Sequence, residues 1–247
     1  MNKEILGSQT AKNGFANEKE IAKKFNNWKY DEESQKWLVI MGYDLKKIEN
    51  VNAIVLKNIK PKPKSDVNVQ IKIELKDALN IENISVKLVS NNQGFNQIDK
   101  RKIDKYVEMW NIPEDTVKLL KLFTGETIPE LDNIRDKRRM FLDEFSEQNR
   151  NKILNFFEEN KTLIVNDILR GRVKFSVEWV LVAQKIDTNA KWVLKNINEV
   201  IHHYSGKVRM SPKGSILIGS ITVQRKGGTP DPTSLQFKIN PLELFKL

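Results

Sequence analysis

The chain has 247 residues, with 42 Lys and Arg against 32 Asp and Glu, a formal net charge of +10 and no cysteine. The length suits one sizeable core or two modest ones, and the missing cysteines exclude disulfide scaffolds, thiolate zinc sites, iron–sulfur clusters and Cys nucleophiles, leaving carboxylates as the natural metal ligands. No apolar run is long enough to span a membrane and no leader pattern opens the chain, so a soluble cytoplasmic protein is expected, with a basic balance that favours a polyanionic partner.

In chain order, residues 13–28 carry Phe15, Ile21, Ala22, Phe25 and Trp28 at helical spacing, and Asn17 with Glu20 can form a capping pair. A second short helix is predicted over 33–41 and a strand over 51–56. The stretch IKPKPKS then breaks regular structure, because its prolines lack donors and constrain their neighbours. It delivers the chain to Asp66.

Two strands follow. Val67, Val69, Ile71 and Ile73 alternate with Asp66, Asn68, Gln70, Lys72 and Glu74, and Ile84, Val86 and Leu88 alternate with Ser85, Lys87 and Val89. Period two puts Ser85 and Lys87 on one polar face. The connection centres on Lys76 and Asp77, midway between Asp66 and Lys87, so antiparallel pairing would bring those two side chains together. Phosphodiester hydrolysis asks for such a set: oxygen ligands for a divalent cation and a cation beside the attacking water. Asp66 and the carbonyl of Val86 are candidate metal ligands, Lys87 is the candidate cation, and Mg²⁺ fits hard oxygen donors. A solvated strand face accounts for the same residues without chemistry.

Beyond the hairpin, NNQGFNQIDKRK offers Gly94 for an unusual turn and Phe95 in a polar setting, followed by a predicted helix with Ile98, Ile103, Tyr106, Val107 and Trp110 on its packed face. Phe95 either wedges into a base step or packs on the following turn as a helix staple. Gln97 can address base edges, and Lys100, Arg101 and Lys102 phosphates. Lys137, Arg138 and Arg139 cluster in DKRRMF, as a solvated face or a phosphate clamp. His202 and His203 diverge by about 100 degrees on a helix and have no further His to complete a ligand set. GSILIGSITVQRKGG reads as two short strands ending in Gln224, Arg225 and Lys226, with Gln236 and Lys238 in the last strand. Arg225 is a candidate reader of guanine, and Lys226 and Lys238 are positioning contacts. Trp28, Trp110, Phe156 and Trp192 are expected in the core.

The run SVKLVSNNQGFNQIDKRKIDKYVEMW resembles the segment that follows the catalytic lysine in type II restriction endonucleases of the HinP type, which recognise GCGC. LGSQTAKNGFANEKEIA, LRGRVKFSVEWVLVAQK, NINEVIHHY, ITVQRKGG and LQFKINPLELF extend the resemblance in the same order over nearly the whole chain. It implies a PD-(D/E)xK fold, a mixed central sheet flanked by helices, in a single endonuclease domain over 1–247. The catalytic hairpin would span about 64–90, and recognition elements about 91–110 and 205–240. It implies Mg²⁺ as cofactor with Mn²⁺ as a substitute, double-stranded DNA as substrate, a homodimer as one route to cutting both strands, and a cognate methyltransferase as genetic partner. It also implies insertion by Phe95 rather than a staple.

The site in that group has the form Ser-Asp, eighteen residues, Gln-x-Lys. Ser65, Asp66 and Lys87 match, and Ser85 stands where the glutamine is expected. A serine is a shorter ligand, better suited to holding a water than to touching the ion. Retained cutting with weakened metal binding is one expectation, and a relative that binds DNA without cutting is the alternative. Glu18 on the first helix is a candidate additional acid.

Overall fold

The computed structural model describes residues 3–56, 67–91, 93–172, 176–186, 190–227 and 232–247. Ser65, Asp66 and the IKPKPKS connector lie outside the described residues. The elements in order are α1 (Lys3–Asn26), α2 (Glu32–Ile40), β1 (Ile48–Val55), β2 (Val67–Leu75), β3 (Ala78–Val89), β4 (Asn96–Arg101), α3 (Ile103–Trp110) and α4 (Glu114–Thr124). Then come α5 (Glu147–Leu169), β5 (Trp179–Gln184), β6 (Lys191–Asn196), α6 (Ile197–Tyr204), β7 (Val208–Met210), β8 (Ile216–Ile218), β9 (Ile221–Arg225) and β10 (Leu235–Ile239). The fold is mixed α and β, and it divides into two compact units: Met1–Gly94 with Leu169–Val200 and Asn240–Leu247, and Phe95–Ile168 with Ile201–Ile239.

The first unit holds a five-stranded sheet of order β1-β2-β3-β5-β6, antiparallel except for the parallel pair β3–β5. Ile21 and Phe25 from α1, Trp28 from the turn after it and Trp37 from α2 bury one face of it against Val69, Ile71, Ile73, Ile84 and Val86. The alternation that marked β2 and β3 is thus the alternation of a sheet with helices on one side. Asn26 fixes α1 to the edge strand, its amide donating to the Ala53 carbonyl at 3.0 Å and accepting from the Ala53 N–H at 2.7 Å. Asp31 caps α2 by accepting from Ser34 N at 2.9 Å, with Glu32 and Glu33 in the first turn where the helix dipole favours them.

The first helix begins at Lys3 rather than near Asn13. Asn17 and Glu20 are therefore mid-helix and cap nothing; Asn17 is buried, and Glu20 binds Lys185 at 2.5 Å.

The second unit holds an antiparallel sheet of order β4-β10-β9-β8-β7. Tyr106 stacks on Trp110 at 4.5 Å, and both meet Phe237 edge-on. The Trp110 indole donates to Asp167 at 2.8 Å and the Tyr106 hydroxyl to Asp99 at 2.5 Å. Ile98 does not belong to the helix predicted after Phe95: residues 96–101 pair with β10 as a strand, and the helix starts at Ile103. One buried apolar residue in a polar hexapeptide carries too little periodicity to separate strand from helix. Trp28, Trp110 and Phe156 are buried, and Trp192 is partly buried against the first unit's core.

Candidate active site and nucleic-acid interface

In the first unit, β3 is the central strand, and Asn83, Ser85 and Lys87 share one of its faces. That face is not solvated. Asn83 is 6%, Ser85 3% and Lys87 8% exposed, and the C-terminal turn Pro241–Lys246 lies against β3, β5 and β6. A lysine is seldom buried to this degree without a task or a partner. Its placement on the middle strand of a sheet is unlike a loose surface cation.

The hairpin register explains how the opposite strand approaches. Pairs from Leu75↔Ala78 to Gln70↔Asn83 follow the sequence midpoint, and the register then slips so that Val67 faces Ser85. The slip is a bulge at Asn68, and the Asn68 side chain does the bonding that the ladder loses. Its Oδ1 accepts from Val86 N at 2.8 Å and its Nδ2 donates to Glu18 Oε1 on α1 at 2.9 Å. The N–H and C=O of one strand residue leave on the same edge. The Val86 carbonyl therefore points to the β2 side, where the register of β2 begins at Val67. Asn68 thus ties the Val86 backbone to the Glu18 carboxylate on α1, while the Ser85 and Lys87 side chains leave β3 on the face away from α1. Among the described residues no group of three or more His, Cys, Asp or Glu is arranged as a metal site. Asp66 lies outside them.

Farther down β3 is an acid pair. Glu82 accepts from the Tyr43 hydroxyl at 2.5 Å and from the Trp179 indole at 2.9 Å, while Glu178 accepts from Asn83 N at 2.7 Å. Burial raises the Glu178 carboxyl above its ordinary range against the pull of the Asn83 N–H, and the nearby Glu82 raises it further.

In the second unit, the strand register sorts the candidate DNA contacts by face. Lys100 lies opposite Gln236, which lies opposite Gln224, and directly opposed residues share a face. Gln97 pairs with Lys238 across a bulge between Phe237 and Lys238. In a regular strand Gln97 and Lys100, three apart, would face opposite ways. The extra residue restores them to one side, with Ile98 turned inward. The result is a polar row of Gln97, Lys100, Gln236, Gln224 and Lys238, in which Gln236, expected as a DNA contact, is instead buried at 5% exposed with its amide donating to the Arg225 carbonyl at 3.4 Å. Phe95 precedes it, 60% exposed, after Asn91 Oδ1 has accepted from Gly94 N at 3.1 Å and Gly94 has turned at φ +69°. The intervening strand separates Phe95 from α3, so Phe95 is not a staple of that helix.

Arg225 pairs with Leu235 and so belongs to the other face, with the buried Leu235, Val223 and Phe237. Its Nε donates to the Pro232 carbonyl at 2.9 Å, and its Nη1 is 3.6 Å from Asp136 Oδ2. Lys226, one residue on, donates its N–H to Ser234 O at 2.7 Å.

A family model for the R.HinP1I restriction endonuclease matches residues 41–245. The chain belongs to that family. As a type II restriction endonuclease of the R.HinP1I family, it shares its fold with the restriction endonuclease MspI, solved in complex with its cognate DNA. The two superpose with a TM-score of 0.69 at 14% identity, over 96% of this chain and 93% of that one. No curated protein matches the sequence.

In this endonuclease Ser85 and Lys87 share a buried face of β3, Glu18 reaches the Val86 backbone through Asn68, and Gln97, Lys100 and Gln236 share a face of the second sheet. Asp66 and Ser65 stand outside the described residues, and Arg225 stands apart from the row expected to include it. Asn68 is the functional candidate that sequence reading passed over. It sits two residues after Asp66 among polar alternates, and nothing in that spacing marks a bulge.

Proposed function

We propose that the chain hydrolyses both strands of double-stranded DNA at GCGC, the target implied by its resemblance to HinP-type enzymes, opening each strand with Mg²⁺ or Mn²⁺ as cofactor. The observation that carries the reading is Lys87, buried on the central strand of a restriction-endonuclease fold beside the Val86 carbonyl. Asp66, the Val86 carbonyl and Glu18 are hard oxygen donors of the kind Mg²⁺ takes, and the donor set fits the ion. The ion would stabilise charge on the phosphoryl oxygen and lower the pKa of a bound water. Asp66 and Val86 would hold it. Lys87 donates to the attacking water and to the phosphoryl oxygen, where charge develops. Ser85, too short to replace a glutamine, holds a water in the gap. Asn68 keeps the Val86 carbonyl and the Glu18 carboxylate in place.

Recognition falls to Phe95 as the wedge and to Gln97 as a reader of base edges, with Lys100, Lys226 and Lys238 on phosphates. MspI, bound to its cognate DNA, supports the DNA-binding part of this reading. Residues 1–247 then act as one cytoplasmic endonuclease domain. Two copies about a two-fold axis would meet the two scissile bonds of a palindrome, and a cognate methyltransferase would protect host sites. Lys87→Ala tests the assignment: it should abolish cleavage while leaving GCGC-specific binding measurable. Cleavage at the wild-type rate would refute the role of Lys87.

A further inference from the structure

The fold of the second unit diverts Arg225 from the polar row, and its destination has a structure of its own. Asp136–Arg139 is a tight turn in which Arg139 N donates to Asp136 O at 3.0 Å and Asp136 Oδ1 accepts from Arg138 N at 3.1 Å, the bond an aspartate makes at the head of a turn. The Arg138 guanidinium then grips the same carboxylate as a fork, Nε to Oδ1 at 2.8 Å and Nη2 to Oδ2 at 3.0 Å. Arg139 and Arg225 approach Asp136 Oδ2 at 3.9 and 3.6 Å. One carboxylate thus faces three guanidinium groups.

Arg139 is the informative member. Its guanidinium carbon sits over the Phe141 ring, 3.8 Å from the centroid, and the group makes no hydrogen bond among the described residues. The cation–π contact holds the group in place without using its N–H donors. Burial together with the repulsion of Arg225 holds Arg139 below the usual arginine range, and burial with the repulsion of Arg138 does the same to Arg225. The Arg138 fork holds Asp136 down at about 2, so its charge is present at every working pH. Several oriented donors and one internal anion are the features of a site for a second anion. A fork that fits a carboxylate also fits a phosphate.

We propose that Arg138, Arg139 and Arg225 form a binding site for one backbone phosphate of duplex DNA, in which the Asp136 carboxylate stands in until the phosphate arrives. The inference rests on the endonuclease reading for its ligand. It moves Arg225 from reading a base to gripping the backbone, and the site is blind to sequence. Asp136 is then a competitor that DNA displaces, which lowers affinity for every duplex alike.

Fluorescence anisotropy in EDTA, so that no cutting occurs, tests this on two duplexes of equal length, one with GCGC and one without, across a salt series. Arg138→Gln and Arg139→Gln should each weaken both duplexes by the same factor, and each should flatten the plot of log affinity against log salt by about 0.9, one phosphate's share. Arg139→Lys should keep most of the slope. Asp136→Asn should tighten both duplexes. If Arg139→Gln also lowers the melting temperature, Arg138→Gln decides, because that side chain is 75% exposed and supports no core. A loss confined to the GCGC duplex would make the cluster a base reader and overturn the proposal. Unchanged slopes in both glutamine variants, with wild-type protein binding normally, would overturn it while leaving the endonuclease reading intact; wild-type protein that binds neither duplex would remove both.

Discussion

Ser85 is where the chemistry of this chain departs from the pattern it resembles, and it is buried, at 3% exposed, one residue from the Val86 carbonyl. If it holds a water in place of a direct ligand, Ser85→Gln should lower the Mg²⁺ concentration needed for half-maximal cleavage, measured on a GCGC duplex. Lower activity at every Mg²⁺ concentration would contradict that. Glu178 is a second residue with a defined expectation. Its carboxyl is raised above 4.5 in the folded chain and returns to 4.5 on unfolding. The protonated form therefore adds stability that is complete below 4.5 and fades as pH climbs through the folded value. At neutral pH the ionised group costs stability. Glu178→Gln keeps an acceptor for Asn83 N and should raise the melting temperature at pH 7 by about 1–4 °C, with the gain vanishing as pH falls to 4.5. A gain that persists unchanged at low pH would contradict the account.

At the scale of elements, the bulge at Asn68 joins fold to chemistry. Asn68→Ala leaves the Val86 N–H without its acceptor, a loss of about 1–3 kcal/mol for a buried donor, and removes the Asn68 bond to Glu18. Scanning calorimetry should show that cost, and the Mg²⁺ dependence of cleavage should shift to higher concentration while DNA affinity in EDTA stays the same. A lower melting temperature with an unmoved Mg²⁺ dependence would make Asn68 purely structural. The hairpin itself was legible in the sequence because Val69, Ile71, Ile73, Ile84 and Val86 alternate over a full strand length, and its turn falls at Lys76 and Asp77 as the midpoint predicts. The bulges were not legible. Each is one extra residue chosen by the partner strand, and local periodicity does not record partners. The same gap hid β4, whose identity depends on β10, and so hid the face on which Arg225 lies.

At the scale of the whole chain, the sequence conveyed the fold class and family through long ordered stretches. It did not convey two separate five-stranded sheets, because the second is assembled from short strands far apart in the chain, β4 and β7 to β10. The net charge of +10 sets only a bias toward polyanions. The placement of charge decides more: Lys87 is buried on one sheet, and Lys100 and Lys238 are set along one face of the other. The most direct measurement is digestion of a plasmid carrying GCGC sites and of one lacking them, across Mg²⁺ and Mn²⁺ concentrations, with Lys87→Ala as control. Discrete fragments ending at GCGC, absent from the second plasmid and lost in the variant, are the predicted result. Specific binding to GCGC without cutting under either metal would contradict the catalytic account and mark Ser85 as the residue of a site that binds but does not hydrolyse.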